Sequence, residues 1–503
     1  MSLVACLNRA VPAAAMRSDP TAELIDEAWT AVASDASTAS PKLPADVDVT
    51  GEGGHLPSNL AVEDTAVACV ASALLAAAAL RRQRGTSVRG VILDRGHVTA
   101  AVRSERYFQR GGQSAGAGFA SLSRFWRSAD GWVRTHGNYP WHRAALAAAL
   151  STPEDIDAVG AAIAVLPSEQ VEEQVCASGG IAAAVRSLEE WRAHPQGRAV
   201  ASEPLVGHQV IGEAPPRRRP RAELPAGGVR VLDLTRVIAG PVCTRFLAAC
   251  GADVLRIDPP LRPDMRAGAT ADTLLGKRSA VMDLETKDGA ETLQRLLGQA
   301  DVVVCGYRPG ALDRFGLDAH VLAERHPGLV VVYLDAWGHS GPWADRRGFD
   351  SVVQAPTGIA RAESADGIEP GALPCQLLDH GTGYLAAAAA MDGLRRQADI
   401  GGTHIRGLSL ARTAGWLTAG SATAAPRGTA APAPRNPGPA RRDPATAEAL
   451  DPDPTRDRPA CLVDLDSAQG AVRVVAPPGS IDGVPLRWRR PLTGYGADPP
   501  TWS

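Results

Sequence analysis

At 503 residues the chain exceeds the usual size of a single domain, so two or more hydrophobic cores are expected. Hydrophobic residues at 45% and charged residues at 21% are ordinary for a globular protein, and a formal charge of -3 offers no field that would draw nucleic acid or an anionic membrane. Eight cysteines are scattered without a C-x-x-C pair, which supports neither a zinc site nor a disulfide framework and reads as small buried hydrophobes. No charged segment followed by a sustained apolar core opens the chain, so no secretory signal is expected. The longest apolar run, Ala66 to Leu80, is too short and too rich in alanine to span a bilayer comfortably. A reducing cytoplasm is the expected compartment.

In chain order, residues 1–50 show little periodicity beyond one helix near 21–34. Residues 51–212 carry an alanine-rich helix, the strand-like ADGWV and several further helices. The stretch EAPPRRRPRAELPAGG at 213–228 reads as an exposed linker. From 229 to 418 the pattern alternates. VRVLDL (229–234) predicts a buried strand, Pro241 to Cys250 a helix opened by proline, ADVLRI (252–257) a strand and RSAVMDL (278–284) another. DGAETLQRLLGQA then predicts a helix, DVVVCG a strand, GALDRFGL with AHVLAERH mostly helix, and LVVVYL (329–334) a strand. Such alternation predicts an α/β fold, a Rossmann-like, doubly wound, mostly parallel sheet, with a second, smaller α+β domain. A second linker follows at 419–459, and a tail segment at 460–503.

An internal repeat crosses this division. DTAVACVASALLAAAALRRQRGTSVRGVILDRGHVTAAV (64–102) and DHGTGYLAAAAAMDGLRRQADIGGTHIRGLSLARTAGWL (379–417) share Asp, an alanine-rich helix, Arg-Arg-Gln, a Gly-Thr turn and a strand led by Val/Ile-Arg-Gly. An aspartate at a helix start ordinarily caps free backbone N–H groups, and Asp64, whose copy lacks His-Gly-Thr-Gly, fits that role better than Asp379. TRVIAGPVCTRFL joins the first strand and helix of the central region, and Asp258 ends the second strand where a nicotinamide-binding domain would place a ribose-binding acid. Ala239-Gly240-Pro241 is no G-x-G-x-x-G, and its proline lacks an amide that would cradle pyrophosphate, so a dinucleotide site is disfavoured.

VLDLTRVIAGP (231–241), GADVLRIDPP (251–260), GKRSAVMDL (276–284), ADVVVCGYRPGALDRFGL (300–317), GHSGPWADRRGFDSVVQAPTG (338–358) and LLDHGTGY (377–384) together resemble, in order, the N-terminal half of the family III CoA transferases. That group also holds formyl-CoA transferase, the carnitine CoA transferases and alpha-methylacyl-CoA racemase. The N-terminal copy and the segment after it resemble the family's C-terminal half, so the order looks like a permuted fusion. The resemblance implies acyl-CoA and a carboxylic acid acceptor as substrates, no tightly bound cofactor, no metal, and a homodimer.

It makes Asp379 the catalytic aspartate. The helix dipole and amide hydrogen bonds would keep that acid ionised, and Gly381 and Gly383 would let substrate approach the backbone. CoA contacts map onto Val237, Ile238 and Ala239, onto Pro259, and onto Met282, Asp283, Leu284 and Glu285. Gly306, Tyr307 and Arg308, with Arg314 and Arg347, complete the set, the arginines suiting three phosphates. Asp350 and His380 are candidates for supporting roles.

Departures narrow the chemistry. Ile238 stands where formyl-CoA transferases carry glutamine, Phe349 stands where the racemases have a base histidine, and the segment from Asp264 to Leu275 is short for an acyl-contacting loop. The glycine run GGQSAGAGFA (111–120) falls where transferases have a flexible loop, although a plain surface loop explains it as well. Beside the transferase reading stand a degenerate CoA-binding or partner-binding subunit and a racemase or dehydratase of the same family.

Overall fold

The computed structural model describes residues 19–33, 41–114, 118–264, 271–419, 461–467 and 469–502. Its largest sheet has seven strands: β1 (Gly207–Ile211), β2 (Arg230–Leu234), β3 (Asp253–Asp258), β4 (Arg278–Val281), β5 (Val302–Cys305), β6 (Val330–Asp335) and β7 (Thr403–Ser409). They lie in the order β4-β3-β2-β5-β6-β7-β1, all neighbours parallel except the antiparallel pair β7 and β1. The runs of valine in β5 and β6 explain the burial of both faces. Val302, Val304, Val330 and Val332 pack into one core while Val303 and Val331, one residue on, pack into the other. Strand order reverses between β2 and β5, and that switch point opens a crevice at the carboxyl ends of both strands.

Several boundaries differ from the sequence expectation. The helix expected from Pro241 begins at Ala239, putting the proline inside the first turn where its missing N–H leaves no bond unmade. The strand expected through 284 stops at Val281, and of residues 310–317 only Asp313–Phe315 is helical, as a single 3₁₀ turn. Within the first fifty residues, Pro20–Ala33 is helical and Asp46–Thr50 is a strand. Residues 420–459 of the expected second linker lie outside the described residues.

Four helices pack against one another beside the sheet: α1 (Pro20–Ala33), α2 (Val62–Gln83), α3 (Ala239–Ala249) and α4 (Leu377–Ile400). The two repeat copies, α2 and α4, pack side by side in parallel. Gly381 faces Cys69 near one end, and Gln83 Nε2 donates to Arg395 O (2.8 Å) and Asp399 Oδ1 (2.7 Å) near the other. Alanines make this approach possible, and Ala386 to Ala390 are all fully buried. Helix α2 is long and apolar enough to cross a membrane by composition, yet 94% of its apolar window is buried within the structure. The strands after the two copies part company. Thr403–Ser409 is β7 of the large sheet and almost wholly buried, whereas Gly90–Asp94 joins a four-stranded sheet with one face open and alternates accordingly.

Between them lies a small domain in which strands Phe125–Arg127, Trp132–Thr135 and Ala182–Ala184 pair antiparallel and are packed by helices Pro140–Leu150, Ile156–Ala164 and Ser168–Ala177. The glycine run at 111–120 opens as a hairpin, Gln109–Arg110 with Gln113–Ser114, and residues 115–117 lie outside the described residues.

The start of α4 crosses the start of α3 so closely that a Cβ on Gly383 would stand 2.5 Å from Ala239 O. Gly383→Ala should therefore lower stability by about 1–3 kcal/mol in chemical denaturation, the range for overpacking a rigid contact. Gly381→Ala, which meets only the Cys69 Sγ at 3.2 Å, should cost less.

Candidate active site

The crevice at the switch point encloses about 270 Å³. Its floor is the turn after β2 (Arg236, Val237, Ala239, Gly240) and the exit of β5 (Gly306, Tyr307, Arg308). Residues 334–336 and 346–349 form one side, Tyr139, Trp141 and His142 of the small domain the other, and Asp379 lies at the α4 end.

The floor turn is held from beneath. Asp233 Oδ1 accepts the Thr235 N–H (3.0 Å), while Oδ2 accepts from Thr244 Oγ1 (2.6 Å) and from the fully buried Lys277 Nζ (2.9 Å). Burial lowers Lys277 to about 8 against the opposing pull of Asp233, so the ammonium persists at neutral pH. Val237 sits at φ 66°, a left-handed conformation that strains a β-branched residue by roughly 1–3 kcal/mol.

Asp379 stands in the first turn of α4, behind Gln376 at the N-cap, which makes no side-chain cap bond. Its backbone N–H donates to Asp350 Oδ2 (3.0 Å), and Gln354 Nε2 donates to the other Asp350 oxygen. The Asp379 side chain is buried, and its Oδ2 has no hydrogen-bond partner among the described residues. Next in the chain, His380 Nε2 lies 3.0 Å from Glu105 Oε2. Burial first, then the charges of Asp350 and Glu105, push the Asp379 carboxyl far above the usual carboxylate range, and burial raises Asp350 too. The expectation that amide hydrogen bonds keep Asp379 ionised is thereby corrected: the neighbouring carboxylate of Asp350 takes the amide of Asp379.

The walls have contrasting chemistry. Five guanidinium groups, Arg236, Arg262, Arg308, Arg346 and Arg347, line the crevice. Burial and the charges of Arg308 and Arg262 lower Arg347, as a crowd of like charges should. Among them, Phe349 stacks on His136 with centroids 3.9 Å apart and meets His142 edge-on, while Arg236 lies over Tyr139 at 5.2 Å. Asp258, the would-be ribose acid, is fully buried in a two-bond pair with Arg256 (2.7 and 2.9 Å), which removes it from any ligand.

Residues 227–458 match the model of CoA-transferase family III. That match covers just under half of the chain. Among curated relatives, an acyl-CoA transferase of Gibberella moniliformis is 33% identical over 250 residues, 47% of this chain and 44% of the relative. The succinyl-CoA–L-malate CoA-transferase beta subunit of Chloroflexus aurantiacus is 33% identical over 35% of this chain and 47% of its own. The succinate–glutarate CoA-transferase of Agrobacterium fabrum is 31% identical over 36% of this chain and 48% of its own. The chain thus spans less than half the length of each of these relatives. A crystal structure of a CAIB/BAIF family protein from Brucella suis is 28% identical over 40% of this chain and 56% of that one, with a TM-score of 0.37.

Of the residues that the family resemblance singles out, the crevice gathers Val237, Ala239, Gly306, Tyr307, Arg308, Arg347 and Asp379. Ile238 is buried at the N-cap of α3, and Pro259, half-buried, follows β3. Met282 to Glu285 lie past the end of β4: Met282 N–H bonds to Asp258 O, Leu284 packs on the second core and Asp283 accepts the Glu285 N–H. Arg314 pairs with Glu285 at the surface, both exposed and outside the crevice lining. Asp350 and His380 are buried immediately behind Asp379. Gly381 and Gly383 face Cys69 and Ala239, so these glycines serve helix packing and not the approach of substrate. Asp64 departs from the cap role: its carboxylate receives Thr21 Oγ1 (2.7 Å) and Arg95 Nη1 (2.9 Å).

Tyr139, Trp141, His142, Arg236, Arg262 and Arg346 did not emerge from sequence reasoning. One signal for the first three was present: in a chain with only 4% aromatic residues, Asn-Tyr-Pro-Trp-His concentrates two of them beside a histidine at a helix start.

A carboxyl whose folded-state value is raised stabilises the fold fully only below its unfolded value and loses that contribution as pH rises through the folded one. Asp379→Asn should therefore melt higher than the natural protein at pH 8, with the difference shrinking toward pH 4 in thermal denaturation.

Proposed function

We propose that the protein transfers CoA between carboxylic acids, with Asp379 as the nucleophile and the arginine-lined crevice as the CoA site. The observation that carries this reading is a buried carboxyl, one oxygen of it without a hydrogen-bond partner among the described residues, on a residue that lines a cleft crowded with guanidinium groups at the switch point of the sheet. Guanidinium forks suit the phosphates of a polyanionic ligand.

The chemistry balances without water or an added cofactor. An Asp379 oxygen attacks the thioester carbonyl, the C–S bond breaks, and CoA leaves as thiolate from an acyl-aspartyl anhydride. The thiolate then attacks the aspartyl carbonyl, releasing the donor carboxylate and leaving an aspartyl-CoA thioester. An acceptor carboxylate repeats the sequence in reverse and regenerates Asp379. No net proton moves, so Asp379 must start ionised. A carboxylate stripped of water and hydrogen bonds is a stronger nucleophile, at the cost of a smaller ionised fraction near neutral pH. Burial also keeps water from hydrolysing the anhydride.

Alpha-proton exchange on acyl-CoA is the alternative to weigh, because the structure brings His142 edge-on to Phe349, the position where racemases carry a base histidine. Burial, with Arg347, Arg236 and Arg262, lowers His142 to about 4. An imidazole so weakly basic is a poor base for an alpha carbon. Transfer is therefore favoured.

A CoA-exchange assay over a panel of acids tests the proposal. Asp379→Asn should lower turnover by about 10³-fold or more while CoA still binds, and hydroxylamine trapping after acyl-CoA should leave a hydroxamate on Asp379 alone. Unchanged turnover in Asp379→Asn would sink it.

A second expectation follows from the buried acids. Asp350→Asn removes the charge that most opposes ionisation of Asp379, so the acid limb of the kcat/KM profile should move to lower pH. An unmoved limb would mean that another group titrates there.

A further inference from the structure

Asp264 follows β3 and lines no part of the crevice, yet four groups from four parts of the chain meet it. Tyr139 Oη donates to Oδ1 (2.6 Å), while the Val237 N–H (3.1 Å) and Arg256 Nη2 (2.6 Å) donate to Oδ2. Its own N–H donates to Tyr495 Oη of the tail (3.2 Å). The carboxylate is completely buried. Burial opposes its ionisation, but Arg256 and Arg236, with the Tyr139 hydrogen bond, outweigh burial and hold it below the usual range.

The link to Val237 matters most. A β-branched residue holds a positive φ only where its surroundings over-determine it, and the bond at the Val237 amide is the one to Asp264. Ile238 and Ala239 follow directly and open α3. Were Val237 to relax to a negative φ, the first turn of α3 and the crevice floor would swing with it. Tyr139, on one wall, is tied to the same carboxylate, so one side chain connects that wall to the floor.

We propose that Asp264 is a positioning residue for the ligand crevice, its carboxylate holding Val237 in the left-handed conformation and fixing Tyr139 across from it. The proposal rests on the crevice being the CoA site.

A double-mutant cycle on the full chain tests it, with CoA as the calorimetric probe. D264N turns one acceptor oxygen into an NH₂ group facing donors and should weaken CoA binding about ten-fold or more. Glycine adopts a positive φ without strain, so in the V237G background D264N should weaken binding by less than about three-fold. Y139F should reproduce that smaller remainder and no more.

Equal losses in both backgrounds, or D264N binding CoA as the natural protein does, overturn the proposal. A D264N chain that is insoluble alone but soluble with V237G is the same rescue in stronger form, and insolubility in both backgrounds overturns it. If the natural protein binds no CoA, the transferase reading has failed. The latch is then read from melting: D264N must lower Tm less in the V237G background, and equal drops reject it.

Discussion

The close crossing of the starts of α3 and α4 is the constraint on which the site depends. Gly383 lies against the carbonyl of Ala239, with no room for a side chain between them. That contact brings the helix after β2 and the helix carrying Asp379 to one end of the sheet, so the acid opens onto the same crevice as the floor turn. Both helix starts are pinned from outside as well. The Asp233–Lys277–Thr244 network fixes the root of α3, and Asp350 accepts from the backbone of α4.

The energetics of the crevice run against stability in a consistent direction. A buried carboxyl without its full set of partners, acids packed behind it, arginines crowded together and a valine at positive φ are each unfavourable. Valines and leucines on alternate positions of the central strands supply compensating burial.

The repeat shows how one sequence plan acquires two uses. Both copies give a buried, alanine-rich helix followed by a strand, and they pack as parallel neighbours. In the second copy the acid in the first turn opens onto a cleft. In the first copy Arg95 and Thr21 meet Asp64, and the loop at 54–56 donates its amides to the adjacent Glu63. The same residue type is thus ion-paired in one copy and, in the other, buried with one oxygen lacking a hydrogen-bond partner among the described residues.

The amino-acid sequence by itself determined the alternating β/α pattern, the valine runs of a doubly covered sheet, the repeat and the motifs that lead to Asp379, because hydrophobic period and turn chemistry are local properties. Boundaries slipped where a turn competed with a regular element, as after Val281 and before Asp313. Only the tertiary structure decided that Tyr139 and His142 face Phe349, that Arg256 withdraws Asp258 from any ligand, that Asp264 bonds both Tyr139 and the Val237 amide, and that Asp379 is pushed toward its protonated form. Those outcomes depend on burial and on which groups the fold brings together, from two residues apart for Arg256 and Asp258 to 125 for Tyr139 and Asp264.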